Sequence, residues 1–449
     1  MALSIVEAIG RIKAGVAKCL TAESIERVCH DCGHRWRQRE VGPVQTVWTF
    51  LTQILHGNTA CAQAVRLAAL SCSTEAYCQA RSRLPLAIYE RLLEQTSRAA
   101  RLTCCLPSWH GHRTLLVDGS TFSMPDTAVL QAQFGQPGRQ RAGCGFPVAH
   151  WLTLFDARSG LLIKQLTAPL RTHDMAQVAQ LHPELAEEDI LIGDTAFASY
   201  VHLALLRQRN LHGVFRAHQR QLVSFRRDRR LVDKLPAGTV AEFSNARLIH
   251  TLGKCDQVVE YTKPPQVPHW MDDKTFRSLP DKLIVRELRF TTKPKRGRTR
   301  IITLVTTLLD PAEYPADELA TLYGQRWEIE THLGELKTTM GMDVLRCRSV
   351  PGVLKEATMF ALVYNLVRLV MVEAARQQQT SVRSVSFIDA LRWLAQACWR
   401  MPHLHLAINP ARCGRHEPRV KKRRPKQFDL MNRPRCQLRQ RLLTTHFGA

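Results

Sequence analysis

Acidic residues are scarce in this 449-residue chain: 39 Asp+Glu stand against 63 Lys+Arg, a formal charge of +24. A balance of that size predicts attraction to polyanions, nucleic acid first and anionic membrane second, and says nothing of catalysis. Long uncharged apolar runs are also missing. The most apolar window, Ala357 to Ala375, carries Asn365, Arg368 and Glu373 and is barely long enough to span a bilayer. It reads as a buried core helix. Met1 to Gly15 has Glu7, Arg11 and Lys13 where a signal peptide would have an unbroken apolar stretch, so none is expected. No second CxxC follows Cys29-His-Asp-Cys32, with His34 nearby, so this pair alone does not specify a zinc site. The fourteen cysteines are scattered, which fits reduced thiols better than a disulfide framework. No internal repeat is visible. What remains, 45% hydrophobic and 23% charged, is ordinary globular protein with enough chain for about three domains.

The organisation changes along the chain. Residues 1–108 read as a helical head. Val44 to His56 has helical periodicity, Gly57-Asn58 breaks it, and Thr59 to Ala69 resumes it. Thr74 to Arg83 is a further helix opened by Ser73. Helix, turn and helix match loosely a helix-turn-helix, with Tyr77, Gln79, Arg81 and Arg83 placed to contact DNA; a helical domain with an exposed polar face fits the spacing equally well. Residues 109–218 alternate strands and helices: Thr114 to Asp118, a hairpin through Ala157-Arg-Ser-Gly160, a helix from Asp174, Asp189 to Asp194, then Ala198 to Gln208 and Gly213 to Arg216. Residues 219–306 carry short β-type runs from Gly238 to Leu308 and two basic clusters, at 225–230 and 293–300, and read as a β-rich insertion. Helices return over 307–400, with Asp310 as a cap and Pro311 at the first helical position. Residues 401–449 form a basic tail; from Arg412 onward twelve Lys/Arg face Glu417 and Asp429 alone.

Two patterns carry chemistry. Asp118 and Asp194 each close a short apolar strand, Thr114-Leu-Leu-Val-Asp118 and Asp189-Ile-Leu-Ile-Gly-Asp194. Carboxylates at strand ends lie where open α/β sheets place their sites, and hard oxygen ligands suit Mg²⁺ or Mn²⁺. Taken singly, either Asp is equally at home as strand-end punctuation. The second pattern is Tyr323-Gly-Gln-Arg326-Trp-Glu-Ile-Glu330-Thr-His-Leu-Gly-Glu-Leu-Lys337. At about 100° per residue one continuous helix sets Tyr323, Arg326, Glu330 and Lys337 in a stripe about 60° wide. Leu322, Ile329, Leu333, Leu336 and Met340 fall beside it as the buried face, while Glu328 and Glu335 fall well away. Such a helix offers one acid to a metal and two cations to phosphates, or is simply a solvated helix with i,i+4 pairs. His173-Asp174 invites a general-base reading, but Arg171-Thr-His-Asp reads better as a helix start with Asp174 near its N-terminus. Trp270 reads as ordinary packing.

Tyr-x₂-Arg-x₃-Glu-x₆-Lys is the signature of bacterial DDE transposases of the insertion-sequence-four family, and this chain resembles them with that spacing intact. Val117-Asp118-Gly to Asp126-Thr127, Pro137-Gly to Phe146-Pro147, Ile192-Gly-Asp194-Thr-Ala-Phe197 and the Lys421 to Lys426 tail extend the resemblance over most of the chain. The resemblance implies an α/β fold: an RNase H-like catalytic core interrupted by a β-rich insertion, with a helical N-terminal domain and a basic C-terminal tail. It implies that Asp118, Asp194 and Glu330 are the catalytic, metal-binding acids for two Mg²⁺ or Mn²⁺ ions, and that Tyr323, Arg326 and Lys337 contact DNA phosphates. The implied activity is DNA transposition: binding terminal inverted repeats, cleaving the transposon ends and joining their 3′-hydroxyls to target DNA. Double-stranded DNA would be the partner, a homodimer the synaptic assembly, and the bacterial cytoplasm and nucleoid the location, with no membrane role. A metal-dependent nuclease that never joins, and a transposase-derived DNA-binding protein without chemistry, remain open beside it.

The tail's charge generates one prediction. Truncation before Arg419 weakens binding to any duplex, and the slope of log affinity against log salt falls by about 0.9 for each phosphate the tail had neutralised. Salt-titrated DNA binding measures this, and an unchanged slope removes the tail from the interface.

Overall fold

The structure, a computed structural model, describes residues 2–37, 39–103, 108–218, 223–225, 246–292, 300–397, 404–409, 433–438 and 440. The β-run expected at 238–243, the basic clusters at 226–230 and 293–299, and nearly all of the basic tail lie outside the described residues.

Short apolar runs, continuous and buried in the central strands, give the sheet. In chain order they are β1 (Thr114–Ser123), β2 (Val148–Asp156), β3 (Leu162–Pro169), β4 (Ile190–Gly193), β5 (His212–Arg216), β6 (Arg247–Gly253), β7 (Asp256–Thr262), β8 (Lys282–Thr292) and β9 (Arg300–Thr306). They form one sheet in the order β3-β2-β1-β4-β5-β9-β8-β7-β6, so the protein has a mixed α/β fold built on a large sheet. β1 pairs in parallel with β4, and β4 with β5; the remaining pairs are antiparallel. The β-rich stretch does not form a separate sheet. It enters the same sheet through the β5–β9 pair, where Phe215 lies opposite Val305. Arg286 on β8, fully buried, is held by the Asp256 carboxylate and by the Tyr314 carbonyl at 2.7 Å, which fixes these strands to the chain that follows them.

The apolar window forms most of helix Val350–Gln377, which is long and apolar enough to cross a membrane by length and composition but is buried inside the protein. Its polar residues explain why it lies there. Asn365 accepts from the Leu162 N–H at 2.8 Å, and its amide donates to the Leu162 carbonyl at 2.8 Å and the Ser97 hydroxyl at 2.9 Å. Arg368 donates to the Ser159 carbonyl at 2.7 and 3.0 Å. The helix thus packs its apolar surface all round while its amide and guanidinium satisfy the backbone of the β2–β3 hairpin.

Local expectations in the head hold in outline. Helices cover Pro43–Leu55, Cys61–Leu67 and Thr74–Arg83, and the Ser73 hydroxyl caps the third by accepting from the Ala76 N–H at 3.1 Å. Gly57 and Asn58 take positive φ, which ends the first. The DNA-facing reading of that third helix needs correcting. Tyr77 is buried, with its hydroxyl on Gln53 at 2.9 Å, and Arg81 stacks over Phe50 while donating to the same Gln53 oxygen. Gln79 and Arg83 alone stay exposed, bonded to each other. The helix expected at Asp310-Pro311 also shifts. Asp310 caps only a turn, by accepting from the Ala312 N–H, and the helix runs Ala316–Gly324 because Pro315 holds an extended ψ just before it.

Replacing Asn365 by Ala leaves the Leu162 N–H unpaired in the core and its carbonyl with the Ser97 hydroxyl at 3.4 Å. The expected loss is about 2–3 kcal/mol of unfolding free energy in urea, and a loss below 0.5 kcal/mol, about the spread of neutral substitutions, contradicts this account of the helix.

Candidate active site

Asp118 does not end its strand, as the sequence suggested: β1 continues to Ser123 and places Asp118 in its middle. The strand survives Gly119 and Ser120 because β2 pairs with it along its whole length, from Leu115 opposite Asp156 to Ser123 opposite Val148. Asp194 does follow the last residue of β4. The two meet through register. Leu116 lies opposite Ile192 in the parallel pair, and the same register carried two residues further sets Asp118 level with Asp194. Level residues on paired strands point to one face. Each carboxylate is also tied locally: Asp118 accepts from the Gly119 N–H and Asp194 from the Ala196 N–H, both at 2.8 Å.

Two acids in half-buried positions repel each other. Burial and the Asp194 charge push the Asp118 carboxyl up to about 6, against the pull of the Gly119 N–H and of Arg326. A pair held in that way is what a divalent cation neutralises, and an all-oxygen donor set fits Mg²⁺ or Mn²⁺.

The Glu330 segment is not one uniform helix. Helix Ala316–Gly324 tightens into a turn where the Arg326 N–H reaches back to Tyr323 at 3.0 Å, helix Trp327–Gly334 resumes, and Glu335–Thr339 opens into a π-turn. Tight and loose turns shift the phase in opposite senses, and the stripe largely survives. Arg326 forms an ion pair with Glu330 at 3.3 Å, and Arg326 also lies within electrostatic reach of Asp118. Lys337 donates to the Ser120 hydroxyl at 2.9 Å, two residues beyond Asp118 on the same face. After the π-turn the chain returns to β1, where the Ser123 N–H donates to Asp343 and the Leu345 N–H to Ser123, both at 2.9 Å. Leu322, Ile329, Leu333, Leu336 and Met340 are buried, as the helical phase requires. Glu328 and Glu335 face elsewhere, toward Arg383 and Arg368.

Tyr323 is buried to 4% exposure, within electrostatic reach of Arg326, Arg216 and Asp194. Burial raises its phenol above the ordinary value and keeps it neutral, which suits a hydrogen-bond donor and not a nucleophile. Burial likewise lowers the Lys337 ammonium.

Sequence reasoning missed Asp174. It does begin helix Met175–Val178, but its side chain makes no cap there. Its carboxylate lies 2.7 Å from His150 Nε2 and packs so closely on Gly119 that a Cβ there would overlap it. Its charge adds to the upward push on Asp118, while the pairing raises the His150 imidazole and offsets that charge. The available signal was the glycine directly after Asp118, since close approach of another group is one of the few things that requires it. Cys29 is buried, with its thiol pushed up to about 12, and Cys29, Cys32 and His34 bring no three ligand atoms together among the described residues.

Comparison with known proteins identifies the family. A family model described as a transposase DDE domain matches residues 109–366. The transposase InsG for insertion sequence element IS4 of Escherichia coli K12 is 26% identical over 371 residues, covering 78% of this chain and 76% of that protein. The putative transposase InsZ of the same strain is 29% identical over 136 residues, 29% of this chain and 44% of that one. A cryo-EM structure of the piggyBac transposase synaptic complex with hairpin DNA superposes with a TM-score of 0.46 at 10% identity, covering 84% of this chain and 78% of that one.

The raised Asp118 carboxyl has a stability consequence with a definite sign. Its folded value of about 6 lies above the ordinary 3.8, so folding takes up a proton between those values and stability falls as pH rises through that window. In a chelator near neutral pH, Asp118→Asn is therefore more stable than the parent, by about 3 kcal/mol at 1.36 kcal/mol per unit. The difference closes on acidification toward pH 3.8. Urea denaturation across pH measures it, and equal stabilities at neutral pH contradict the crowded-carboxylate picture.

Proposed function

The chain belongs to the transposase DDE-domain family and is a DNA-cleaving and strand-transferring DNA transposase, and from that premise we propose that Asp118, Asp194 and Glu330 are its catalytic acids. The observation that carries the reading is the single electrostatic neighbourhood they share: Asp194 acts on Asp118, and Arg326 acts on Asp118 while pairing with Glu330. β3-β2-β1-β4-β5, with β2 alone running against the other four strands, supports an RNase H-like core. The stretch 219–306 is then an insertion within that core, 109–218 and 307–400 its two parts, and 1–108 a helical DNA-binding head.

The acids would hold two Mg²⁺ or Mn²⁺ ions, whose chemistry when bound is activation of the entering oxygen and neutralisation of the leaving 3′-oxygen. The side chains supply the rest. Asp118 must lose its proton to act as a ligand, and Arg326 lowers the cost of that loss. Glu330, half exposed at the helix surface, can swing without disturbing the core. Arg326 is the guanidinium that binds a phosphate oxygen bidentately once DNA competes with Glu330 for it. Lys337, anchored by Ser120, presents a point charge to the same backbone, and the Tyr323 phenol donates a hydrogen bond beside Asp194. No side chain need act as nucleophile: water serves in nicking, and the freed 3′-hydroxyl in joining.

The DNA is double-stranded, first the terminal inverted repeats and then the target. Two ends must be synapsed, so the active assembly is a homodimer at least, working in the bacterial cytoplasm on nucleoid DNA. With labelled end DNA, a target plasmid and Mg²⁺, Glu330→Gln retains end binding and loses cleavage by at least about a thousandfold, some 4 kcal/mol of transition-state stabilisation. A cleavage-competent Glu330→Gln overturns the triad, and a parent that nicks without yielding joined product overturns the joining step.

A further inference from the structure

At the edge of the sheet opposite the carboxylates, three ligand-bearing residues sit at the starts of the three parallel strands. His112 lies two residues before β1, Glu188 two before β4, and His212 opens β5. Parallel strands in register bring such positions together, and one ligand atom from each lies within 4.8 Å of the others. The structure assigns these residues a second metal site, a His₂Glu set for Zn²⁺, that clasps the amino ends of the strands whose other ends carry Asp118 and Asp194.

The distances fit. His212 Nε2 lies 2.9 Å from Glu188 Oε2, and His112 Nδ1 lies 3.9 Å from the same oxygen. Ligands about 2.0–2.1 Å from a tetrahedral ion stand about 3.4 Å apart, so closing around zinc requires side-chain shifts of about half an ångström and a larger displacement of the Glu188 carbonyl, which lies 2.6 Å from His112 Nδ1. Two imidazole nitrogens with one carboxylate select Zn²⁺ over Mg²⁺, which the all-oxygen set at Asp118 and Asp194 favours.

The surroundings are those of a built ligand set. Each imidazole has its other nitrogen beside a hydroxyl: His112 Nε2 lies 2.8 Å from the Tyr314 hydroxyl, and His212 Nδ1 lies 3.4 Å from Thr307 Oγ1. Partners of this kind fix the orientation and tautomer of ligating histidines. Both rings are buried, and the exposed Glu188 closes the set from the solvent side. Glu188 is held at φ +66, a left-handed conformation uncommon for a side chain of this kind, and its N–H donates to the Asn210 carbonyl at 2.8 Å. Without metal, the His112 Nδ1–H donates to the Glu188 carbonyl at 2.6 Å. Zinc about 2.0 Å from this nitrogen displaces both the proton and the carbonyl oxygen, so binding releases the proton and turns the Glu188 peptide aside.

The test uses the full-length protein, stripped with chelator and titrated with Zn²⁺ against a chromophoric competitor in excess Mg²⁺, which fills the carboxylate site. One Zn²⁺ per chain binds and raises the melting temperature. Tyr314→Phe keeps all three ligands and weakens binding about 10- to 100-fold. Glu188→Gln, a change at an exposed side chain that leaves the core intact, weakens it at least as much and abolishes the thermal shift. Absence of zinc binding by the parent overturns the assignment. So does a zinc ion that survives Glu188→Gln, and its loss in Cys29→Ser would place it at the cysteine pair instead.

Discussion

The proposed active site depends on one backbone interaction, the short parallel pairing of β1 with β4. Its hydrogen-bond register sets Asp118 level with Asp194 and forces two carboxylates onto one face. Neither side chain chooses that proximity, and electrostatics opposes it: burial and mutual charge hold Asp118 as a much weaker acid than a free one. The strain is tolerable because the strands are secured elsewhere. β2 pairs β1 along its length, β5 backs β4, and Asn365 and Arg368 of the central helix bind the β2–β3 hairpin. A divalent cation between the two carboxylates would relieve that repulsion.

The remaining parts are arranged around that pair. The Glu330 segment is fastened to β1 twice, at Ser120 through Lys337 and at Ser123 through the returning chain. Arg326 sits between, engaged with Glu330 and felt by Asp118. His150 answers the additional negative charge of Asp174. The centre is thus a small set of acids whose nearest cations belong to the protein, inside a chain of charge +24. For an enzyme acting on DNA, an excess of this size favours binding of the polyanion, and the proposed acidic centre would take up divalent ions beside it.

Much of this was legible in the sequence, for reasons that differ by residue. Asp118 and Asp194 stood out because apolar runs led into them, and Glu330 because Tyr323, Arg326 and Lys337 repeat at helical spacing; spacing alone left each open, and the family resemblance joined them as a set. Turn chemistry placed the head helices to within a few residues. What stayed hidden depended on partners distant in the chain. β1 runs past Asp118 because β2 pairs with it, which no local propensity reports. Tyr77 and Arg81 look like a polar helix face until Phe50 and Gln53 cover them. The tight and π turns flanking Glu330 follow from docking on β1, and the Asp174–His150 contact joins residues that share no local pattern. The single sheet running from β3 to β6 was invisible for the same reason, since β-pairing partners are set by topology and not by composition.

The central claim is that strand register and one docked helix build a divalent-cation site from Asp118, Asp194 and Glu330. The most direct measurement is anomalous diffraction from crystals of the full-length protein bound to end DNA and soaked in Mn²⁺. Anomalous density is expected between the Asp118 and Asp194 carboxylates, with Glu330 released from Arg326 and turned toward it. Density that lies away from these two aspartates, or their continued separation by protein side chains in saturating Mn²⁺, contradicts the claim.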